Sequence, residues 1–529
     1  MDKLFKKIFM LVVALVATTA FAACGDDDGD DNGGGTVITG LTVTPTSLNF
    51  TKLGGSQVVS AQAQQQATAQ SSADWCTVTI GSQTPTLKVT PITVTVAANN
   101  TTEARTAVVT ITAGSETKQV AVSQEKSDAQ VEPTPDPSGN ITMKAQEIAK
   151  AMVPGWNLGN TMEAIANNNG LGNETTWQPT MTTQAVIKAV KDAGFNSIRI
   201  PCSWDIHSDS NGKIDAQWMA RVKQIVNWSI DAGLYVLLND HWDNGWIEVL
   251  GFSKSNSSYQ AVDEATITAK IARLKDLWTQ IATEFRDYGD QLIFAGLNEP
   301  FQEYNLFHDK HQQLTPILIR YNQAFCEAVR ATGGNNTLRT LVVQGPSVNI
   351  ASTCSYMTAD KLPEAAGRLM VEVHFYDPGQ FCGTYSNKLS EGGFVYWGAA
   401  NHVSGSKHNA TWGEENSMKS EFAKLNTTFT SKGYPVVIGE YAANQRNVAN
   451  VDGHDQAKHD ASIKLFYQCV NEYATNNGIV AMAWDTNYTA GLSTTDGSST
   501  IIDRAKCIVV GNNAMEGVKA GVAAGNWPF

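Results

Sequence analysis

No cluster of basic residues and no Cys-x-x-Cys pair occurs in this chain, whose formal net charge is −13. A chain without a basic patch lacks the footprint that grips phosphates, which argues against a nucleic-acid partner. Eight cysteines are few for 529 residues, and their spacing suggests no zinc site. His402, His408, His454 and His459 are scattered through loop and helix sequence without ligand spacing. They read as surface histidines, so neither metal nor cofactor is expected. Long apolar runs are missing too: the stretch Ile8 to Val16 is too short and wrongly flanked for a spanning helix.

That stretch follows Lys3, Lys6 and Lys7 and leads into small residues up to Ala23, so residues 1–23 read as a secretory signal. Phe21-Ala22-Ala23-Cys24 resembles the lipobox of bacterial lipoproteins, which implies lipidation of Cys24 and an outer-membrane lipoprotein. Residues 24–35 are acidic and glycine-rich, cannot bury a core, and read as a flexible tether. An acidic run after a lipidated cysteine resembles the surface-export signal of some Gram-negative gut bacteria, so the outer cell surface is the expected location. Seven cysteines remain beyond Cys24 and cannot all pair internally. Buried free thiols are expected, with a Cys354–Cys382 bond left open.

Residues 36–125 change texture to short alternating runs such as Ile92-Thr93-Val94-Thr95-Val96 and Val109-Thr110-Ile111-Thr112, separated by turn residues. Period-two alternation of this kind implies a small antiparallel β-sandwich. The segment resembles the BACON family of immunoglobulin-like modules through Leu41-Thr42-Val43-Thr44-Pro45, Ala73-Asp74-Trp75 and Val120-Ala121-Val122-Ser123-Gln124. The family name implies carbohydrate binding. No row of aromatics accompanies it here, Trp75 reads as a core plug, and a spacer role is the favoured reading, with glycan binding the alternative. Residues 126–139 hold Pro133, Pro135 and Pro137 and form a semi-rigid linker.

In residues 140–529, helical patterns alternate with buried apolar runs. Thr182 to Ala193, Asp215 to Ala232 and the stripe Ile267, Ile271, Leu274, Trp278, Ile281 and Phe285 predict helices. Eight runs predict strands: Val153–Leu158, Ser197–Pro201, Tyr235–Asn239, Leu292–Leu297, Thr340–Gln344, Leu369–Val373, Pro435–Gly439 and Val480–Trp484. This alternation implies an α/β protein with a (β/α)8 TIM barrel, whose site lies at the C-terminal strand ends. Polar and aromatic residues gather at those ends: Arg199, His241, Asn298 with Glu299, His374 with Tyr376, Glu440 and Trp484. A carboxylate leaving a buried strand, as Glu299 does before Pro300, is costly unless paired or used. Glu440 supplies a second one in the same setting. The chain carries 13 Trp; Trp177, Trp204, Trp246, Trp397 and Trp412 fall in loops and are candidates for stacking on sugar rings, while most others serve the core.

The domain resembles glycoside hydrolase family 5, the retaining endo-β-glucanases and their relatives. The resemblance rests on Gly155-Trp156-Asn157-Leu158-Gly159-Asn160-Thr161, Arg199-Ile200-Pro201, Leu297-Asn298-Glu299-Pro300, His374-Phe375-Tyr376, Ile438-Gly439-Glu440-Tyr441 and Trp484. It implies Glu299 as acid/base and Glu440 as nucleophile. Arg199 would keep Glu440 charged, Asn298 would donate to a sugar 2-hydroxyl, His374 would orient Glu299 and Tyr376 would bond Glu440. His241 would hold a sugar hydroxyl and Trp484 would form the floor. Two departures, His241-Trp242 in place of paired histidines and Met162-Glu163-Ala164 in place of Leu-Asp-Ala, fall near the sugar-binding cleft. The substrate implied is a β-glucan polysaccharide, whether cellulose-like, mixed-linkage or xyloglucan, with a monomeric enzyme expected. An endo-β-mannanase and a non-catalytic glycan-binding lipoprotein are the alternatives.

Overall fold

The computed structural model describes residues 38–529 except 53, 98, 100, 102, 127–139, 167–169, 254–257, 302–310, 384–388, 450 and 452–453. The signal segment, Cys24, the tether and nearly all of the proline-rich linker lie outside the described residues. The chain divides into two compact units at residue 131.

In the first unit, alternation of apolar residues with Thr and Ser produces eight strands. These are β1 (Thr42–Thr44), β2 (Ser47–Phe50), β3 (Gly55–Gln62), β4 (Thr68–Ser71), β5 (Cys76–Ile80), β6 (Val89–Val96), β7 (Arg105–Ala113) and β8 (Glu116–Gln124). They form two four-stranded sheets ordered β1-β3-β6-β5 and β2-β8-β7-β4. Ile92, Val94 and Val96 on β6 and Val109 and Ile111 on β7 are buried in one core between the sheets. One pairing departs from the antiparallel expectation: β2 runs parallel to β8. The chain leaves the first sheet at Pro45, so β2 lies beside the last strand instead of turning back on β1. Trp75 packs half-buried against this core, with the Arg105 guanidinium 4.3 Å from its ring centre. The module's other aromatic residue, Phe50, is buried.

The second unit opens with helix α1 (Ala145–Met152), followed by β9 (Gly155–Asn157), β10 (Ser197–Ile200) and β11 (Tyr235–Asn239). A hairpin of β12 (Leu250–Ser253) and β13 (Ser258–Ala261) comes next. Then follow β14 (Leu292–Ala295), β15 (Leu341–Gln344), β16 (Leu369–Phe375), β17 (Val436–Tyr441) and β18 (Ile479–Ala483). With the hairpin set aside, the eight strands β9 to β18 close into a parallel barrel. Each lies where an apolar run placed it, with ends moved by at most two residues. The helices also start where the capping residues direct. The Thr183 side chain accepts from Val186 N, Asp215 from Gln217 N and Trp218 N, and Asp263 from Thr266 N.

Period two sorts the barrel strands into an outer face and a lumen. Ile198, Ile200, Val236, Leu238, Phe294, Val371, Val373 and Ile438 pack in the main core with the surrounding helices. Leu237, Ile293, Val342, Met370, Val437, Val480 and Met482 fill the lower lumen, together with Ala145, Ile148, Ala149 and Met152 of α1. Two residues further along the same faces the lumen turns polar, with Asn239, Gln344 and Glu372, then His374. Between β16 and β17 the register slips, so that Val373 pairs with Ile438 but His374 pairs with Glu440. Gly439 is the extra residue of this bulge, which turns Glu440 toward the lumen.

All seven described cysteines are free thiols, including Cys354 and Cys382. Among the described residues, no helix is long and apolar enough to cross a membrane. The outer core can be tested at Trp278, which is fully buried, donates to Gly296 O at 2.9 Å and meets Phe325 edge-on at 4.6 Å. Trp278→Ala is expected to lower stability by about 3–5 kcal/mol, read as an earlier denaturation midpoint in urea, with Trp278→Phe falling between it and the wild type.

Candidate active site

The polar end of the lumen is organised by Arg199, which is fully buried. Its Nη1 donates to Glu440 Oε1 at 2.8 Å and Asn157 Oδ1 at 3.1 Å, and its Nη2 to Asn298 Oδ1 at 2.6 Å. Its Nε lies 3.1 Å from Glu372 Oε1. Burial opposes the guanidinium charge, but Glu372 and Glu440 outweigh it and raise the pKa. Asn157 in turn donates to Gly439 O at 2.8 Å and Met482 O at 3.1 Å, fixing the strand that carries Glu440.

Glu299 and Glu440 both face His374 Nδ1, at 2.7 and 3.7 Å, but differ in their other partners. Glu299 Oε1 lies 2.7 Å from His374 Nδ1, whereas Glu440 receives Arg199 on one oxygen and the Tyr376 hydroxyl at 2.9 Å on the other. Oxygens of the two carboxyls and His374 Nδ1 all lie within 4.8 Å of one another. Burial pushes the Glu440 pKa up and Glu299 adds to that, while His374, Arg199 and the Tyr376 hydrogen bond pull it back. Burial works against a charged His374. Glu440 and the hydrogen bonds to Glu299 and Glu372 prevail, and its pKa is pushed up to about 9. Donor atoms this close could share a cation. Here Arg199 and the His374 proton already occupy them.

His241 stacks on Trp484 with ring centres 5.8 Å apart and planes 11° from parallel. Burial, Arg199 and His374 hold its pKa well below the usual histidine range, so it is neutral. Gly159 lies against the Trp484 ring, where a Cβ would come within 2.9 Å of it. The turn bearing Gly159 is held from below. The buried Glu163 carboxyl accepts the N–H groups of Asn160 and Thr161, and Arg504 donates to Gly159 O and Thr161 Oγ1, both at 2.8 Å. Burial raises Glu163 to about 7, against the pull of those hydrogen bonds and Arg504.

The structure therefore brings together Arg199, His241, Asn298, Glu299, His374, Tyr376, Glu440 and Trp484. The loop tryptophans divide. Trp177 is 45% exposed and Trp412 41% exposed, and Trp246 is half-buried against the main core. Trp397 and Trp204 are fully buried, donating to Gly413 O at 3.0 Å and Asn239 O at 2.9 Å. These two are core residues and not cleft residues, because Trp397 packs edge-on against Phe466 and the Trp204 indole turns onto the end of β11. Two histidines also leave the surface assigned to them. His459 accepts from Arg446 N and bonds Val395 O, His408 bonds Gly393 O, and both are buried loop anchors.

Sequence reading passed over Glu372, Gln344 and Arg504 as parts of the site, and marked Glu163 only as a departure near the cleft. Glu372 did carry a signal. A lone carboxylate inside Leu-Met-Val-Glu-Val shares its strand face with His374. Arg504 carried none, since only the fold brings it under the opening turn.

A family model for cellulase (glycosyl hydrolase family 5) matches residues 160–490. The chain belongs to glycosyl hydrolase family 5. It is accordingly a glycoside hydrolase, and a putative-binding-domain model, BACON, matches residues 65–125. A family 5 xyloglucan-specific β-1,4-glucanase from a ruminal metagenomic library, solved with XXLG, is 72% identical. It covers 73% of this chain and 98% of its own, with a TM-score of 0.69. The xyloglucan-specific endo-β-1,4-glucanase of Bacteroides ovatus is 32% identical over 412 residues, 76% of this chain and 77% of that one. Endoglucanase A of Paenibacillus barcinonensis is 31% identical over 362 residues, covering 66% and 84%.

Tyr376 offers a direct test of the site's hydrogen bonding. Removing one bond to a charged acceptor costs about 1.5–3 kcal/mol, so Tyr376→Phe is expected to lower kcat/KM on a soluble β-glucan by roughly 10- to 100-fold. An unchanged kcat/KM would remove Tyr376 from the working set.

Proposed function

We propose that the chain is a retaining endo-β-1,4-glucanase whose preferred substrate is xyloglucan, with Glu299 as acid/base and Glu440 as nucleophile. The observation that carries this reading is the pair of carboxyls within 4.8 Å, each with a different set of partners. Retaining hydrolysis needs carboxyls about 5–5.5 Å apart, one ionised to attack and one protonated to donate. Arg199 and the protonated His374 supply two positive charges to three carboxyls, Glu299, Glu372 and Glu440. Glu440 holds Arg199 and the Tyr376 hydroxyl on its two oxygens, contacts that favour its ionised form, so in a retaining pair the proton-donor role falls to Glu299.

In the first step a Glu440 oxygen bonds to the anomeric carbon while Glu299 protonates the departing glycosidic oxygen. The ester so formed carries no charge on Glu440, and Glu299, left ionised, takes a proton from the water that releases the sugar. Asn298 has its Oδ1 held by Arg199, which leaves its amide hydrogens for the 2-hydroxyl of the bound ring. Trp484, kept parallel to His241, offers a flat floor. The 72% identity to a xyloglucan-specific glucanase supports the choice of xyloglucan over linear glucans and mannan.

Reducing-sugar release from xyloglucan, mixed-linkage β-glucan, carboxymethylcellulose and mannan tests the reading, with the highest kcat/KM expected on xyloglucan and none on mannan. Glu299→Ala should lower kcat/KM on polymer by about 10²- to 10⁴-fold; undiminished hydrolysis would sink the assignment.

We also propose that lipid on Cys24 anchors the enzyme in the outer membrane, facing outward. The support is the order of basic, apolar, small and acidic residues over positions 3–31. Cys24→Ala should shift activity from the membrane fraction to the soluble fraction, and activity that stays with the membrane would refute the anchor.

A further inference from the structure

Glu372 is fully buried and lies on the lumen face of β16 between Met370 and His374. One of its oxygens, Oε1, meets Arg199 Nε at 3.1 Å and His374 Nε2 at 3.3 Å. The other, Oε2, accepts from Gln344 Nε2 at 2.6 Å. Gln344 Oε1 accepts from Leu297 N at 2.9 Å, two residues before Glu299. The space Glu372 fills exists because residue 439 is glycine, where a Cβ would lie 1.9 Å from Glu372 Oε1. A charge buried this deeply is expensive. Arg199 does not require it, since that cation already has Glu440 and two amide oxygens as partners.

We propose that Glu372 is a positioning residue for the acid/base: through His374 it keeps one proton shared between His374 Nδ1 and Glu299 throughout the catalytic cycle. This rests on the reading of Glu299 as acid/base. By accepting from Nε2–H, Glu372 fixes the imidazole so that Nδ1–H points at Glu299, 2.7 Å away. The groups facing His374 are Glu299, Glu440 and Glu372, with Arg199, neutral His241 and the Tyr376 hydroxyl beyond them. Glu440 loses its charge on forming the glycosyl ester, and Glu299 loses its charge on protonation. Glu372, held ionised by Arg199 and His374 against the cost of burial, is the carboxylate that stays charged in both steps.

Removing a negative charge favours the site's deprotonated form, so Glu372→Gln should move the alkaline limb of the kcat/KM profile to lower pH by about one unit or more. Because the amide introduced by Glu372→Gln would also face the Gln344 amide with a mismatched group, the double variant Glu372→Gln/Gln344→Glu is the decisive one. It restores a donor and an acceptor between these residues, and it keeps a buried charge but moves it away from His374. The limb should remain shifted in the double variant. A double variant whose profile returns to wild type would reduce Glu372 to a structural role and overturn the proposal.

Ring-carbon NMR titration of His374 in the wild-type full chain, assigned with His374→Asn, gives a second readout independent of activity. The imidazole should stay protonated at pH 7.5, and its titration should move to lower pH in Glu372→Gln. A neutral wild-type His374 at that pH overturns the proposal even if no variant folds. If the titration moves as expected while the limb does not, the coupling of His374 to Glu299 as acid/base fails instead.

Discussion

The buried guanidinium of Arg199 is the constraint on which the upper barrel depends. It joins β9 through Asn157, the end of β14 through Asn298, β16 through Glu372 and β17 through Glu440. Four different strands thereby present their polar groups at set distances from one point. A lysine could not serve, because its compact ammonium has no planar fork to divide among acceptors lying in different directions. The arrangement is costly in water-free surroundings unless every partner is present. Three of its acceptors are themselves held by a second bond, from Asn157 to the β17 backbone, from Gln344 to Glu372 and from the Tyr376 hydroxyl to Glu440.

How far the sequence reveals this depends on whether the signal is local. The eight strands were legible because each is a short apolar run buried on both faces, and a barrel of parallel strands demands such runs. Arg199, Glu299, His374 and Glu440 were legible because each interrupts or ends one of those runs. Trp204 and Trp397 looked like cleft residues because loop sequence says nothing about which way a loop folds; in the structure both donate to backbone carbonyls inside the protein. His459 misleads in the same way, since its surroundings come from residues 395 and 446. Arg504 and the opening turn are 343 positions apart at their closest contact, a distance no local pattern spans.

The bulge at Gly439 links backbone geometry to chemistry. Strict alternation along β17 would put residues 437, 439 and 441 into the lumen and leave Glu440 among the helices. One unpaired residue reverses the parity, and Glu440 reaches the same layer as His374. Glycine at that residue also leaves the volume that the Glu372 carboxylate fills. The two features require each other: a side chain at 439 would expel Glu372, and without Glu372 a cavity would open beside Arg199.

A site holding Arg199, a protonated His374 and three carboxyls in one lumen lowers the stability of its own barrel, since buried ion pairs seldom repay their desolvation. The lower lumen offsets this. Below the Asn239, Gln344 and Glu372 layer, the lumen is filled by apolar side chains that are fully buried, and α1 closes the open end with Ile148 and Met152. The same strands thus carry stabilising side chains at one end and destabilising ones at the other, two residues apart on the same face. Polar substitutions in the lower layer would therefore act on the fold, and substitutions in the upper layer on the chemistry, which is why the strand ends could diversify while the barrel stayed the same.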